Sequence, residues 1–184
     1  VSQDGSRVFF ATSEKLSQDD DDTATDVYAW TGDSAQLVSG HAASRPASDQ
    51  GAVLASGMPA PTGTRAIIQT AAPLTENDGD AALDLYEVGG SGPRLITPDT
   101  PGPVTPLSGN AGLTHIVFST QDPLDPVADK DGSGWDTYVA ADNKYTLLSR
   151  GPAPEATNDD HAYAEGISTD GERYLIRTLQ PLSS

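Results

Sequence analysis

The 184-residue chain contains no cysteine. That excludes disulfides and thiolate metal sites without fixing the compartment. Cationic side chains are scarce, with 10 Lys and Arg against 27 Asp and Glu, a formal net charge of −17. The few basic residues are scattered, whereas nucleic-acid binding needs clustered ones to neutralise phosphates. An anionic membrane surface repels such a chain for the same reason. No apolar run approaches the roughly 20 residues of a membrane span. The longest are short, such as Val8-Phe9-Phe10 and Ile116-Val117-Phe118. No long segment has a helical apolar period, so almost no helix is expected. A G-x-S-x-G nucleophile elbow is also missing. Hydrophobic residues make up 36% of the chain, beside 18 Gly and 14 Pro, which suits many short strands joined by tight turns.

What is present is internal repetition. Gly5, Arg7, Thr12, Leu16, Asp26, Tyr28 and Leu37 recur as Gly63, Arg65, Thr70, Leu74, Asp84, Tyr86 and Leu95, all shifted by 58 residues. A third copy carries Thr120, Pro123, Leu124, Asp136, Tyr138 and Leu147, and a fourth begins at Asp170-Gly171-Glu172-Arg173. A period of this length marks a solenoid, a propeller or an array.

Each copy reads as strands. In the first, Asp4-Gly5 is a turn signal, and residues 7–12, 26–30 and 35–39 are predicted strands, rich in β-branched and aromatic residues. The unbroken run Val8-Phe9-Phe10 predicts a strand buried on both faces. The second copy places strands at 65–71, 85–88 and 93–97, and the third at 114–120, 137–140 and 145–149. A further strand precedes each later copy, at 52–58, 103–107 and 163–168. Counting it first gives four antiparallel strands per unit. Such small sheets bury their faces by stacking, and a radial stack of four-stranded blades is a β-propeller. The expected fold is therefore all-β, an incomplete propeller ring of about three and a half blades. It forms one domain over 1–184, with units at about 1–51, 52–102, 103–161 and 162–184. Propellers typically have about 4–8 blades. The chain is accordingly expected to be a fragment of a longer protein that supplies the rest.

Ser2-Gln3-Asp4-Gly5-Ser6-Arg7-Val8-Phe9-Phe10 resembles the S-P-D-G-x-x-[IV]-x-[FY] signature of TolB-like, WD-repeat-like bacterial β-propeller repeats. Ser168-Thr169-Asp170-Gly171-Glu172-Arg173-Tyr174 repeats its opening. Asp26-Val27-Tyr28, Asp84-Leu85-Tyr86 and Asp136-Thr137-Tyr138 resemble the family's D-[IVL]-[YF] strand. The family's Pro is Gln3 here and Thr169 in the fourth copy. Its Asp-Gly turn becomes Thr62-Gly63 in the second and Ala111-Gly112 in the third. The resemblance implies a bacterial envelope, periplasmic or secreted setting and protein–protein contacts.

Acidic loops occupy one place in the first three copies: residues 19–26, 77–84 and 129–136, each ending on the Asp that opens the next strand. Calcium takes about six to eight oxygen ligands, with glycine allowing sharp turns. The third loop fits best, with Asp129, Asp131, Ser133 and Asp136 as candidate ligands. Asp19, Asp22 and Asp26, and Asn77, Asp80 and Asp84, are candidates in the other two. The competing reading is a set of Asp-capped turns whose final Asp bonds the loop's own backbone. His41, His115 and His161 sit at different places in their repeats and define no zinc site. Tyr28, Tyr86 and Tyr138 recur and are assigned to packing between blades. Arg7, Arg65 and Arg173 are expected to pair with a carboxylate of the adjacent blade.

Recurring acids argue against a single catalytic pair. The expectation is a non-catalytic scaffold for a protein or glycan partner, with no catalytic residue, no cofactor beyond possible calcium, and no membrane insertion. The alternatives are an accessory propeller of a hydrolase, such as a prolyl-oligopeptidase-like peptidase, and a calcium-stabilised cell-surface module.

Overall fold

The computed structural model describes residues 1–42, 50–59, 63–129, 134–149 and 162–178, the side chains of 56–59 and 162 apart. Every regular element among them is a β-strand. The chain divides into two compact units, Val1–Pro101 and Gly102–Ser184. The first contains a three-stranded sheet of β1 (Val8–Thr12), β2 (Asp26–Trp30) and β3 (Ala35–Leu37). It also contains a four-stranded sheet of β4 (Val53–Pro59), β5 (Arg65–Thr70), β6 (Asp84–Gly89) and β7 (Arg94–Leu95). The second contains a four-stranded sheet of β8 (Val104–Gly109), β9 (Ile116–Thr120), β10 (Asp136–Ala141) and β11 (Lys144–Leu147). Its other sheet pairs β12 (Ala162–Ile167) with β13 (Tyr174–Thr178). All pairings are antiparallel between sequence neighbours. The extra strand expected ahead of each later copy is present as β4, β8 and β12.

Turn chemistry explains why the strands begin where they do. Ser2 N–H donates to the Arg7 carbonyl, and Gly5 N–H to the Ser2 carbonyl. Ser2 Oγ accepts from Arg7 N–H at 2.9 Å and donates to Asp4 Oδ1 at 2.7 Å. Gly5 takes a φ of 72°, the left-handed region that glycine enters without a Cβ penalty. The Ser2 hydroxyl first, then the Ser6 amide and hydroxyl, hold the Asp4 carboxyl down at about 2. Ser168, Asp170, Gly171 and Arg173 repeat the arrangement bond for bond.

The third copy builds the same turn differently. Asn110 Oδ1 accepts from both Thr114 N–H and His115 N–H, doing the work of the serine and the aspartate together. The left-handed residue there is Leu113, at φ 51°, and not Gly112. The Ala111-Gly112 assignment is thus corrected by one position: burial of the Leu113 side chain, 1% exposed, accompanies the unfavourable backbone.

In the first unit, Phe9, Val27 and Ala29 pack with Ala66, Ile68, Tyr86 and Val88, so the two sheets share one core. In the second, Val117 and Val139 pack with Ala164, flanked by Leu107, Ile167 and Tyr174. β9 is buried at every position, but β1 is not: only Phe9 is fully buried. β1 is an edge strand in its sheet, which leaves one side of Val8 and Phe10 less covered than their apolar run predicts. The arginines also differ from expectation. Arg65 pairs with Glu87 in its own sheet at 3.0 Å, and Arg7 donates to the Thr64 carbonyl at 3.4 Å.

Truncating the shared core gives a direct check. Ile68→Ala is expected to cost about 2–5 kcal/mol in urea unfolding of the first unit. Val53→Ala, at a 53% exposed position, is expected to change stability by less than about 0.5 kcal/mol. Equal effects from the two would refute the assigned core.

Candidate functional site

The acidic loops are held by one hydroxyl–carboxylate framework built three times. The strand after each loop opens Asp-x-Tyr, and alternation sends Asp and Tyr to the same face. Asp26 Oδ1 accepts from Ser39 Oγ, Asp84 Oδ1 from Thr97 Oγ1, and Asp136 Oδ1 from Ser149 Oγ, each at 2.5 Å. The same hydroxyls accept from the amides of Val27, Leu85 and Thr137 at 2.9, 3.0 and 3.1 Å. They thereby replace a backbone carbonyl, so β3 and β7 end at Leu37 and Leu95, short of the predicted 39 and 97. The phenols reach back into the loops. Tyr28 donates to Asp20 Oδ2 at 2.5 Å, Tyr86 to Asp78 Oδ2, and Tyr138 to Asp129 Oδ2 at 2.5 Å.

Burial and neighbouring charge set the protonation of these groups. All three tyrosines are fully buried. Burial, then the hydrogen bond to the loop Asp, pushes Tyr28 up to about 12 and raises Tyr86 and Tyr138 as well. Burial likewise raises the Asp26 carboxyl, opposed by Ser39 and reinforced by Asp22, Asp20 and Asp21. Asp84 rises to about 7, burial again leading, with Thr97 opposing and Asp78, Asp80 and Asp99 adding repulsion.

These positions sort the candidate ligands. In the first loop, Asp20, Asp22 and Asp26 bring one carboxylate oxygen each within 4.8 Å of the others, while Asp19 is exposed and apart from that group. Asp22 Oδ1 accepts from Ala24 N–H at 2.7 Å. In the second, Asp78, Asp80 and Asp99 form the equivalent cluster, and Asn77 is exposed. In the third, Asp129 and Asp136 are buried in the framework, and Asp131 and Ser133 lie outside the described residues. Equal spacing before the final Asp matched Asp19, Asn77 and Asp129. The structure instead matches Asp20, Asp78 and Asp129, because the third loop is one residue longer. The final Asp bonds a distant hydroxyl, where the turn reading expected the loop's own backbone.

Sequence reasoning missed Asp20, Asp78, Asp99 and the hydroxyl partners Ser39, Thr97 and Ser149. A signal existed for the last three: each lies 13 residues after its Asp.

The first unit also carries an open groove of about 600 Å³. Arg7, Asp21, Gln36, His41, Thr64 and Gly90 are among its lining residues. His41 Nδ1–H donates to the Ala42 carbonyl at 2.9 Å, and Nε2 lies 3.5 Å from Asp21 Oδ2. The first contact, with help from Asp21, raises the imidazole above its ordinary value.

Comparison with models of protein families, with curated proteins and with solved structures gives no match. Function must therefore be argued from this geometry.

Two measurements check the framework. Tyr86→Phe removes the phenolic donor to Asp78 and is expected to cost about 1–3 kcal/mol, read by urea unfolding. Alkaline titration gives the second. A tyrosine held above its unfolded value of about 10 stabilises the fold below that pH, and the contribution is lost as pH rises through the folded value, about 12 for Tyr28. Tyr28, Tyr86 and Tyr138 should therefore ionise only as the sheets unfold. Tyrosinate absorbance reaching its full value while circular dichroism stays native would contradict this.

Proposed function

We propose that the chain is part of a β-propeller that acts as a non-catalytic binding scaffold in the bacterial envelope or secreted space. The observation that carries this reading is the threefold recurrence of the Asp–hydroxyl–Tyr framework in successive antiparallel sheets. The recurring polar groups are engaged in holding strands and loops. Ligand recognition then falls to positions that do not recur, and those gather around the groove of the first unit. Gln36 and His41 there have Arg94 and Asp99 at the corresponding places 58 residues on. Small antiparallel sheets stacked on shared cores, each begun by a fresh N-terminal strand, support the propeller part of the reading. The motif resemblance to TolB-like repeats supports the setting and favours a protein partner, and the open loop surface of a propeller suits a protein or a glycan. The formal charge of −17 favours neutral or cationic ligands.

The test is a titration of the chain against arrayed neutral and cationic oligosaccharides and peptides, with mass-spectrometric recovery of each ligand. A ligand should bind saturably and be recovered intact. Gln36→Ala or His41→Gln should weaken it about tenfold or more without changing the melting temperature. Turnover of any ligand, or binding indifferent to both substitutions, would overturn the proposal.

A further inference from the structure

The second acidic loop ends on a buried carboxylate oxygen that no donor among the described residues satisfies. Asp84 is 1% exposed, and its Oδ2 has no hydrogen-bond partner. Its other oxygen is taken by Thr97. In the first loop the equivalent carboxylate, Asp26, lies within 4.8 Å of Asp20 and Asp22, the counterparts of Asp78 and Asp80, and the charges of Asp78, Asp80 and Asp99 bear on Asp84. Asp78, Asp80 and Asp99 in turn offer oxygens that lie within 4.8 Å of one another.

The remaining contacts leave oxygen atoms available. Asp80 Oδ1 accepts from Ala82 N–H at 2.6 Å, and Asp99 Oδ1 from Gly79 N–H at 3.0 Å, and among the described residues the second oxygen of each receives no donor. Gly79 permits that approach, since a Cβ there would stand 3.0 Å from Asp99 Oδ2. Among the described residues, no Lys, Arg or His forms an ion pair with Asp80, Asp84 or Asp99. Three carboxylates thus converge beside a fourth that is sealed from water, and among the described residues the donors to Asp80, Asp84 and Asp99 are neutral. Uncompensated buried charge of this kind is strongly destabilising unless a counter-charge joins it.

We propose that Asp78, Asp80, Asp84 and Asp99 form a calcium site in the first unit. The donor set is all oxygen, which selects a hard cation over zinc or copper. Calcium accepts an irregular cage of carboxylate oxygens at about 2.4 Å, whereas magnesium at about 2.1 Å demands near-ideal octahedral geometry and usually keeps several waters. The first loop repeats three of the four positions as Asp20, Asp22 and Asp26, and places His41 where Asp99 stands. A histidine is a poor calcium ligand, so the second loop is the stronger site. The assignment rests on these residues alone and is independent of the scaffold reading.

Isothermal titration of the EDTA-stripped chain with calcium chloride tests it, alongside terbium luminescence sensitised through Tyr86. One saturable site per chain is expected. The melting temperature should rise by about 5–10 °C at a free calcium concentration of roughly 100 times Kd. Asp99→Asn, at an exposed position that does not threaten folding, should abolish both the site and the rise. Asp33→Asn, an exposed acid remote from the loop in sequence, should leave them intact. An equal response to magnesium, or one retained by Asp99→Asn, would reduce the effect to general screening and overturn the site. So would the absence of any saturable binding.

Discussion

A carboxylate can be buried in a small β-sheet only if donors accompany it, and the whole layout of each repeat follows from how those donors are supplied. Hydrogen bonds to charged groups contribute about 1.5–3 kcal/mol each, and a buried acceptor left alone costs a comparable amount. The framework meets that demand with hydroxyls. A Ser or Thr 13 residues after the Asp fixes where the outer strand leaves the ladder. A Tyr two residues after it reaches back to fix the acidic loop. Strand length, loop path and packing of the tyrosine ring are therefore coupled, and none can change alone.

That coupling explains what could be read from sequence. Asp26, Asp84 and Asp136, with their tyrosines, recur at fixed offsets because β-strand alternation permits no slack. A strand slipped by one residue would turn the ring out of the core. The strand positions were legible for the same reason. Loop positions were not, because a loop absorbs an inserted residue without cost to the ladder. Counting back from Asp136 through a longer loop therefore reached Asp129, while the same count from Asp84 reached Asn77 in place of Asp78. Ser39, Thr97 and Ser149 escaped notice because Ser and Thr interchange at a hydroxyl position and resemble ordinary turn residues. Leu113 escaped because a left-handed backbone is normally signalled by glycine, and Gly112 stands beside it.

Asp99 shows a different limit. It lies beyond β7, outside the acidic loop it joins, and its only local signal is an unremarkable Pro-Asp-Thr turn. Its role emerges from the fold, which returns the chain from β7 to the amide of Gly79. The corresponding residue in the first sheet is His41, which engages Asp21 and the groove. Two sheets with one framework thus diverge at a position where the framework makes no demand, and this is where repeats are free to acquire separate roles.

The kind of donor matters as much as the number. Glu87, in the middle of β6 and 8% exposed, is flanked by the guanidinium groups of Arg65 and Arg94 at 3.0 and 2.9 Å, so its charge is cancelled on the spot. Asp80, Asp84 and Asp99 receive an aliphatic hydroxyl and amides instead. Those donors satisfy geometry but carry no charge, and the upward shift of Asp84 records burial first, with repulsion from Asp78, Asp80 and Asp99 added to it. A chain so poor in Lys and Arg cannot neutralise every cluster internally. The framework therefore leaves a concentrated negative field at the mouth of the loop between β5 and β6. Among the described residues no cationic side chain meets Asp80, Asp84 or Asp99, so a proton on Asp84 or a cation shared by several carboxylates would relieve the repulsion there.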